Sequence, residues 1–419
     1  MKPILVPAIL SSLCLAALVA CDDGGSSSGP EGDSSEALSS ETSSAGSSSS
    51  APKKLTVETY DDLPSCNLDR EGTKAFVKDE NLSYVCDVGY WTEIPEKRSS
   101  SGKSGKRSSS SSRSGASSSS SSNSSSSGGS GEQTYAFGYA LKNAPRPSAG
   151  CGKTVALGDH FQFTGGGVEH EVYLNLPENY DRNRPYRLVF GFHYMGGSAE
   201  AVAKRENYYG LRNEPGAKEN TIFVAPHGYT VETDTSGHET SNPWRCKDSL
   251  DHPFFAELLT YLNENLCIDT SRVFAVGFSF GAMMANSLAQ DFQDRLRGVV
   301  AFATMDQVIY LPKNKGLPIA WMGTVGMDDP LCTPKLGRSA RDRILKNNGL
   351  PDGDGNFGDA RDEEAEEWTS GNHVCYDYRT VDPRFPVKWC TFDGEHTYLP
   401  RENGEVWTAR TGWEFIAQF

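Results

Sequence analysis

Gly277-Phe278-Ser279-Phe280-Gly281 is a G-x-S-x-G segment set between an apolar run, Val273-Phe274-Ala275-Val276, and a helix-like stretch over 282–289. A strand, a sharp turn and a helix in that order make a nucleophile elbow, which stands a serine hydroxyl at a helix N-terminus. The two glycines allow the bend and keep side chains clear of it. Serine is a weak nucleophile until a base removes its proton. The usual base is a histidine oriented by a carboxylate. Both occur downstream in the order acid, then base. Asp328 and Asp329 follow the apolar run 317–322, and His396 stands in Asp393-Gly394-Glu395-His396 after the run 386–392. His160, His170, His238, His252 and His373 lack such a setting, whereas His227, in Pro226-His227-Gly228, is placed near the cleft. Acyl transfer also needs N–H donors for the oxyanion. One would be the N–H of Phe280, next to the nucleophile. The second would come from Tyr194 or Met195 in Phe192-His193-Tyr194-Met195-Gly196-Gly197.

These residues need a frame that brings distant loops together. Short apolar runs at 171–176, 187–192, 221–225, 272–276, 298–303 and 317–322 alternate with helical patterns, notably 253–266, 282–292 and 339–347. A last helix is expected near 406–419. Buried-looking strands alternating with helices predict an α/β fold, a mostly parallel sheet with helices on both faces. Carbonyl chemistry then belongs at the C-terminal ends of the strands, where the elbow, the acid loop and the base loop all fall.

The chain divides by composition into an N-terminal leader (1–20), a Ser-rich linker (21–53), a small unit (54–97), a second Ser-rich linker (98–133) and a large domain (134–419). The leader has Lys2 followed by an apolar stretch, as a secretory signal does. It ends in Leu18-Val19-Ala20-Cys21, which resembles the lipobox of bacterial lipoproteins. That resemblance implies lipid on Cys21, membrane attachment through it, and a place in the bacterial cell envelope. The Ser-rich tracts cannot bury a core and read as flexible tethers. The second carries several Lys and Arg residues, which could also attract acidic wall polymers weakly. The small unit holds strand-like runs at 75–77 and 84–86, with Tyr90 and Trp91 nearby. It reads as a spacer stapled by Cys66–Cys86, with carbohydrate binding through the two aromatics as the alternative. The remaining cysteines, Cys151, Cys246, Cys267, Cys332, Cys375 and Cys390, suit disulfides in an exported protein. Cys375 with Cys390 is the favoured pair, flanking an expected hairpin. A net charge of −15 argues against nucleic acid as a partner. No cofactor is called for. Asp352-Gly353-Asp354-Gly355-Asn356 with Glu363 partly fits a calcium loop, but Phe357 stands where glycine belongs. An acidic surface loop is the expectation there, and no metal set is assigned.

Six segments in order resemble the feruloyl and acetylxylan esterases of the first carbohydrate esterase family, whose relatives include polyhydroxybutyrate depolymerases. They are Pro147-Ser148-Ala149-Gly150-Cys151-Gly152-Lys153, His193-Tyr194-Met195-Gly196-Gly197, Asn242-Pro243-Trp244, the elbow, Asp329-Pro330-Leu331-Cys332 and Gly394-Glu395-His396. The resemblance implies an α/β-hydrolase fold, a Ser279–His396–Asp329 triad and hydrolysis of feruloyl esters on plant cell-wall arabinoxylan. Asp329 is preferred to Asp328 because it begins the D-x-x-C loop. Phe280 and Tyr194 would form the oxyanion hole. His193 and Trp244 are expected at the substrate, with Trp244 and Tyr194 packing on an aromatic acyl group. The chain departs from the pattern at Tyr194, where glycine is usual, at the doubled aspartate, and in an insertion over 349–371. Acetylxylan or a polyester remains the alternative substrate. A non-catalytic polysaccharide-binding lipoprotein is the alternative of another class.

Overall fold

The apolar runs become the centre of a nine-stranded sheet. The computed structural model describes residues 55–59, 63, 73–79, 81–87, 90–94, 144–228, 232–233, 239–240, 243–245 and 249–419. The strands of the sheet are β5 (His160–Gly165), β6 (Val168–Asn175), β7 (Tyr186–Phe192), β8 (Thr221–Pro226), β9 (Ile268–Phe278), β10 (Gly298–Phe302), β11 (Ala320–Gly326), β12 (Val374–Asp377) and β13 (Val387–Phe392). A separate four-stranded sheet precedes them, made of β1 (Leu55–Val57), β2 (Lys74–Val77), β3 (Leu82–Asp87) and β4 (Tyr90–Glu93).

The large sheet runs in the order β12-β13-β11-β10-β9-β7-β8-β6-β5. The six strands β7, β8, β9, β10, β11 and β13 are mutually parallel; β12 pairs antiparallel with β13, β6 with β8, and β5 with β6. Every residue of β10 and β11 is buried, as expected of parallel strands covered on both faces. Alternation assigns the faces. Leu188, Phe190 and Phe192 of β7 point into one core, together with Phe254, Leu258 and Leu262 of helix α1 (Asp251–Asn265) and Met283 and Leu288 of helix α2 (Phe280–Asp291). Val189 points into the other, with Tyr208, Tyr209 and the Trp413, Phe415 and Ile416 side chains of α4 (Thr408–Ala417). Helix α3 (Pro334–Leu345) begins at Thr333, whose hydroxyl accepts from the Leu336 N–H, and has Pro334 in its first turn. Both are start signals, and they move the helix five residues ahead of the expected 339–347.

Cys375 and Cys390 are register partners across the β12–β13 hairpin and form a disulfide. Cys151 and Cys267 form another, tying the entry segment to the start of β9. Cys332 is a buried free thiol. The Cys66–Cys86 pairing, the side chains of Tyr90 and Trp91, Cys246, the lipobox and the Ser-rich tracts lie outside the described residues. In the small sheet, Ala75, Val77 and Tyr84 form a minor apolar cluster against Leu55, Val57, Leu63 and Leu82. Its Tyr84 hydroxyl accepts from Lys313 Nζ at 2.8 Å.

Candidate active site

Ser279 joins β9 to α2 with φ 55° and ψ −122°, a sparsely populated conformation for a residue with a side chain. The turn persists because its surroundings leave no room to relax. The Ser279 N–H donates to the Phe302 carbonyl at 3.0 Å, and its own carbonyl receives the Met283 N–H at 3.0 Å. A Cβ on Gly277 would lie 2.1 Å from the Gly281 backbone, and one on Gly281 would lie 1.9 Å from the Phe192 carbonyl oxygen. Backbone meets backbone at both positions, so neither can shift to admit a methyl group. Gly281→Ala should therefore destabilise the fold by about 3 kcal/mol. A thermal melt indistinguishable from the parent protein's would contradict this account of the elbow.

The acid and base loops leave the C-terminal ends of neighbouring parallel strands, β11 and β13. They are laced together: Met327 N–H donates to the Phe392 carbonyl at 2.9 Å and Asp328 N–H to the Gly394 carbonyl at 3.0 Å. This lacing brings three side chains into one line. His396 Nε2 lies 2.8 Å from Ser279 Oγ, and His396 Nδ1 lies 2.8 Å from Asp329 Oδ2. Asp329 is 3% exposed, and its other oxygen accepts the N–H groups of Leu331 and Cys332, each at 2.8 Å. With one oxygen held by backbone, the carboxylate can offer only the other to the imidazole. Nδ1 then carries the hydrogen and Nε2 is free to accept from serine. Asp328 is exposed and its side chain takes no part. Ser279 and His396 are both half-buried, so a substrate carbonyl can reach the pair.

The Phe280 N–H opens α2 beside the nucleophile. Across from it, the Tyr194 carbonyl accepts both from the Gly197 N–H at 2.9 Å and from His193 Nδ1 at 3.0 Å. A trans peptide directs the following N–H, that of Met195, away from this carbonyl. The turn thus sets the direction in which Met195 donates.

His193 and Trp244 were expected to touch substrate, and the structure corrects this. Trp244 is 0% exposed and donates its Nε1–H to the His193 carbonyl at 2.8 Å. His193 is 2% exposed, and its Nε2 accepts the Gly228 N–H at 3.0 Å. Both are internal braces of the 193–197 loop, with no surface left for a ligand. His227 stacks on His193 at 4.7 Å and receives the Ala199 N–H at 3.3 Å, so it belongs to the same brace.

Burial, with the nearby His227, lowers the His193 pKa to about 3. An unfolded chain holds an ordinary imidazole near 6.5. Between these values the unfolded state binds the extra proton, so this group stabilises the fold above pH 6.5. Its contribution is lost as pH falls toward 3, at up to about 1.4 kcal/mol per pH unit. Denaturant melts at pH 7 and pH 4.5 should show a smaller drop for His193→Gln than for the parent, and equal drops would contradict it.

Sequence reading placed Tyr194 at an aromatic acyl group but missed the rings of Phe278 and Tyr398 packed with it near the base. The Phe278 ring lies 4.8 Å from His396, 5.0 Å from Tyr398 and 5.3 Å from Tyr194. Its signal was available, since Phe278 is part of the elbow itself and Tyr398 follows His396 by two residues. In the 349–371 insertion, Asp352 accepts the N–H groups of Asp354 and Asn356, closing a turn. Glu363 is engaged elsewhere, accepting from the Tyr376 hydroxyl and from the Thr380 N–H and hydroxyl. The two ends of the calcium-loop pattern thus serve separate structural purposes. Glu367 ties the insertion to the domain, pairing with Arg338 and accepting the Trp389 Nε1–H.

The Esterase family profile matches residues 166–385, slightly more than half of the chain. The chain is 29% identical over 288 residues to feruloyl esterase D of Neurospora crassa, covering 66% of this chain and 92% of that one. It is 31% identical over 286 residues to the Aspergillus terreus protein named "Probable feruloyl esterase C", covering 68% of this chain and 96% of that one. Among solved structures, acetyl xylan esterase from Aspergillus awamori is 15% identical with a TM-score of 0.42, over 62% of this chain and all of that one. The fold itself rests on the strand order and the elbow described above. With an α/β-hydrolase sheet and a family profile that covers most of it, the chain belongs to the Esterase family and is a carboxylic ester hydrolase.

Proposed function

We propose that the protein hydrolyses feruloyl esters on plant cell-wall arabinoxylan, with Ser279 as nucleophile, His396 as general base and acid, and Asp329 as the group that orients His396. The observation that carries this reading is the unbroken Ser279–His396–Asp329 hydrogen-bonded line, 2.8 Å at each step. Ser279 Oγ attacks the ester carbonyl while His396 Nε2 takes its proton. The Phe280 N–H and the Met195 N–H receive the oxyanion, with the Tyr194 N–H as the other candidate donor on that loop. His396 then returns the proton to the departing sugar hydroxyl, leaving a feruloyl ester on Ser279. Water, deprotonated by His396, releases the acid in a second round. The steps draw only on side chains and backbone.

The substrate class is supported by the relatives, which are named feruloyl esterases over nearly their whole lengths. The half-buried Tyr194 and Tyr398 rings, both packed on Phe278 near the base, suit an aromatic acyl group better than acetate. We further propose export with lipid on Cys21, placing the enzyme on the bacterial envelope where wall fragments arrive. Its disulfides suit an oxidising compartment. The direct test is release of ferulic acid from wheat arabinoxylan, run beside acetylated xylan and polyhydroxybutyrate. Cleavage of acetylated xylan or polyhydroxybutyrate without ferulic acid release would move the protein to a different esterase specificity. Binding to xylan with no ester cleavage on any of the three would reject the catalytic reading.

A further inference from the structure

We infer that Tyr194 and Glu206 together select acyl groups that carry a free ring hydroxyl, the Tyr194 oxygen accepting the hydrogen of a 4-hydroxycinnamoyl phenol. The inference rests on the feruloyl reading above and assigns its ring selectivity to two residues. Tyr194 is half-buried on the loop facing the nucleophile, and its ring reaches His396 through one intervening ring, that of Phe278. Its hydroxyl donates to Glu206 Oε1 at 2.9 Å. A phenol has one hydrogen to give. With that hydrogen committed to the carboxylate, the tyrosine oxygen can only accept from a ligand. A ring hydroxyl satisfies it, while an unsubstituted or methoxylated ring cannot.

The pair stays in this protonation pattern. Burial, then the bond to Glu206, raises the Tyr194 phenol to about 12, so the hydrogen remains on the tyrosine at neutral pH. Glu206 Oε2 is sheltered and has no hydrogen-bond partner among the described residues, which leaves Tyr194 as the polar contact this carboxylate depends on.

The backbone behind Glu206 is built at some cost. Asn207, Tyr208 and Tyr209 have φ of 48°, 54° and 61°, and Gly210 follows at 88°. Three consecutive residues with side chains at positive φ disfavour this turn. Two buried tyrosines hold it. The Tyr208 hydroxyl donates to Asn175 Oδ1 at 2.9 Å, and the Tyr209 hydroxyl to the Phe192 carbonyl at 2.5 Å. Phe192 is the last residue before the 193–197 loop, so this turn fixes Glu206 relative to Tyr194 from both sides. Strain of this kind persists where a site is over-determined by its surroundings. A group fixed before the ligand arrives selects better than one that must be ordered by it.

The test is the ratio of kcat/KM for methyl ferulate over methyl 3,4-dimethoxycinnamate. The parent enzyme should favour ferulate by about tenfold, the value of one hydrogen bond. Tyr194→Phe keeps the ring and removes the acceptor, and should bring the ratio close to one through loss on ferulate. Glu206→Leu frees the tyrosine hydrogen to donate to a methoxy oxygen, and should lower the ratio by improving the dimethoxy ester. A ratio unchanged in Tyr194→Phe overturns the inference while leaving the esterase reading intact, as does a parent enzyme that cleaves both esters equally well. A parent enzyme inert toward both esters but active on acetylated xylan overturns the feruloyl reading and this inference with it.

Discussion

Ser279→Ala should lower the turnover of methyl ferulate by about 10⁶-fold, the loss seen when the nucleophile of a serine triad is removed. The variant should keep its fold. Ser279 Oγ contributes a bond to His396 and no packing that the core depends on, and the strained backbone at this position is imposed by Gly277 and Gly281 on either side. The measurement is single-turnover hydrolysis together with a melting curve. Unaltered melting with turnover near the parent value would mean that another group attacks the carbonyl. Residual activity well above the uncatalysed rate is compatible with the proposal, because an intact oxyanion hole and bound substrate still accelerate attack by water.

Asp329→Asn should cost about 10⁴-fold in kcat. The amide oxygen can keep the Leu331 and Cys332 N–H groups, which now bond Asp329 Oδ1. The amide nitrogen would then face His396 Nδ1 in place of Oδ2. A donor opposite Nδ1 forces the imidazole hydrogen onto Nε2, and a protonated Nε2 cannot take the hydrogen of Ser279. The loss would therefore come from a wrong tautomer in a nearly unaltered structure. Asp328→Asn is the control. Its side chain is exposed, and the substitution should change kcat by about twofold at most. Equal losses in the two variants would show that loop geometry, and not the Asp329 carboxylate, is what matters.

Much of the site could be read in the sequence because its parts are local. A nucleophile elbow is made by five consecutive residues and the elements that flank them, so Ser279 and Phe280 were recognisable without any partner. His396 was recognisable from its place after an apolar run. The Cys375–Cys390 pair followed from a hairpin between covalently close strands. The first edge strand and the start of α3 were missed: β5 has only an alternating, half-exposed pattern, and the capping pair Thr333-Pro334 lies in a loop without apolar periodicity.

Residue type and order alone established the kind of chemistry: a serine at a strained turn, an acid and then a histidine, each at the end of a buried strand. Tertiary structure alone decided which aspartate meets His396, since Asp328 and Asp329 are alike in kind and differ in which one the laced loops turn inward. It also decided that Trp244 is an internal brace and not a platform for substrate. Its indole meets the His193 carbonyl from 51 positions away, a contact to which no local pattern points. The physical reason is the same in each case. Chemistry resides in functional groups, which the covalent chain specifies. Burial and direction come from neighbours remote along the chain, and those exist only once the sheet has formed.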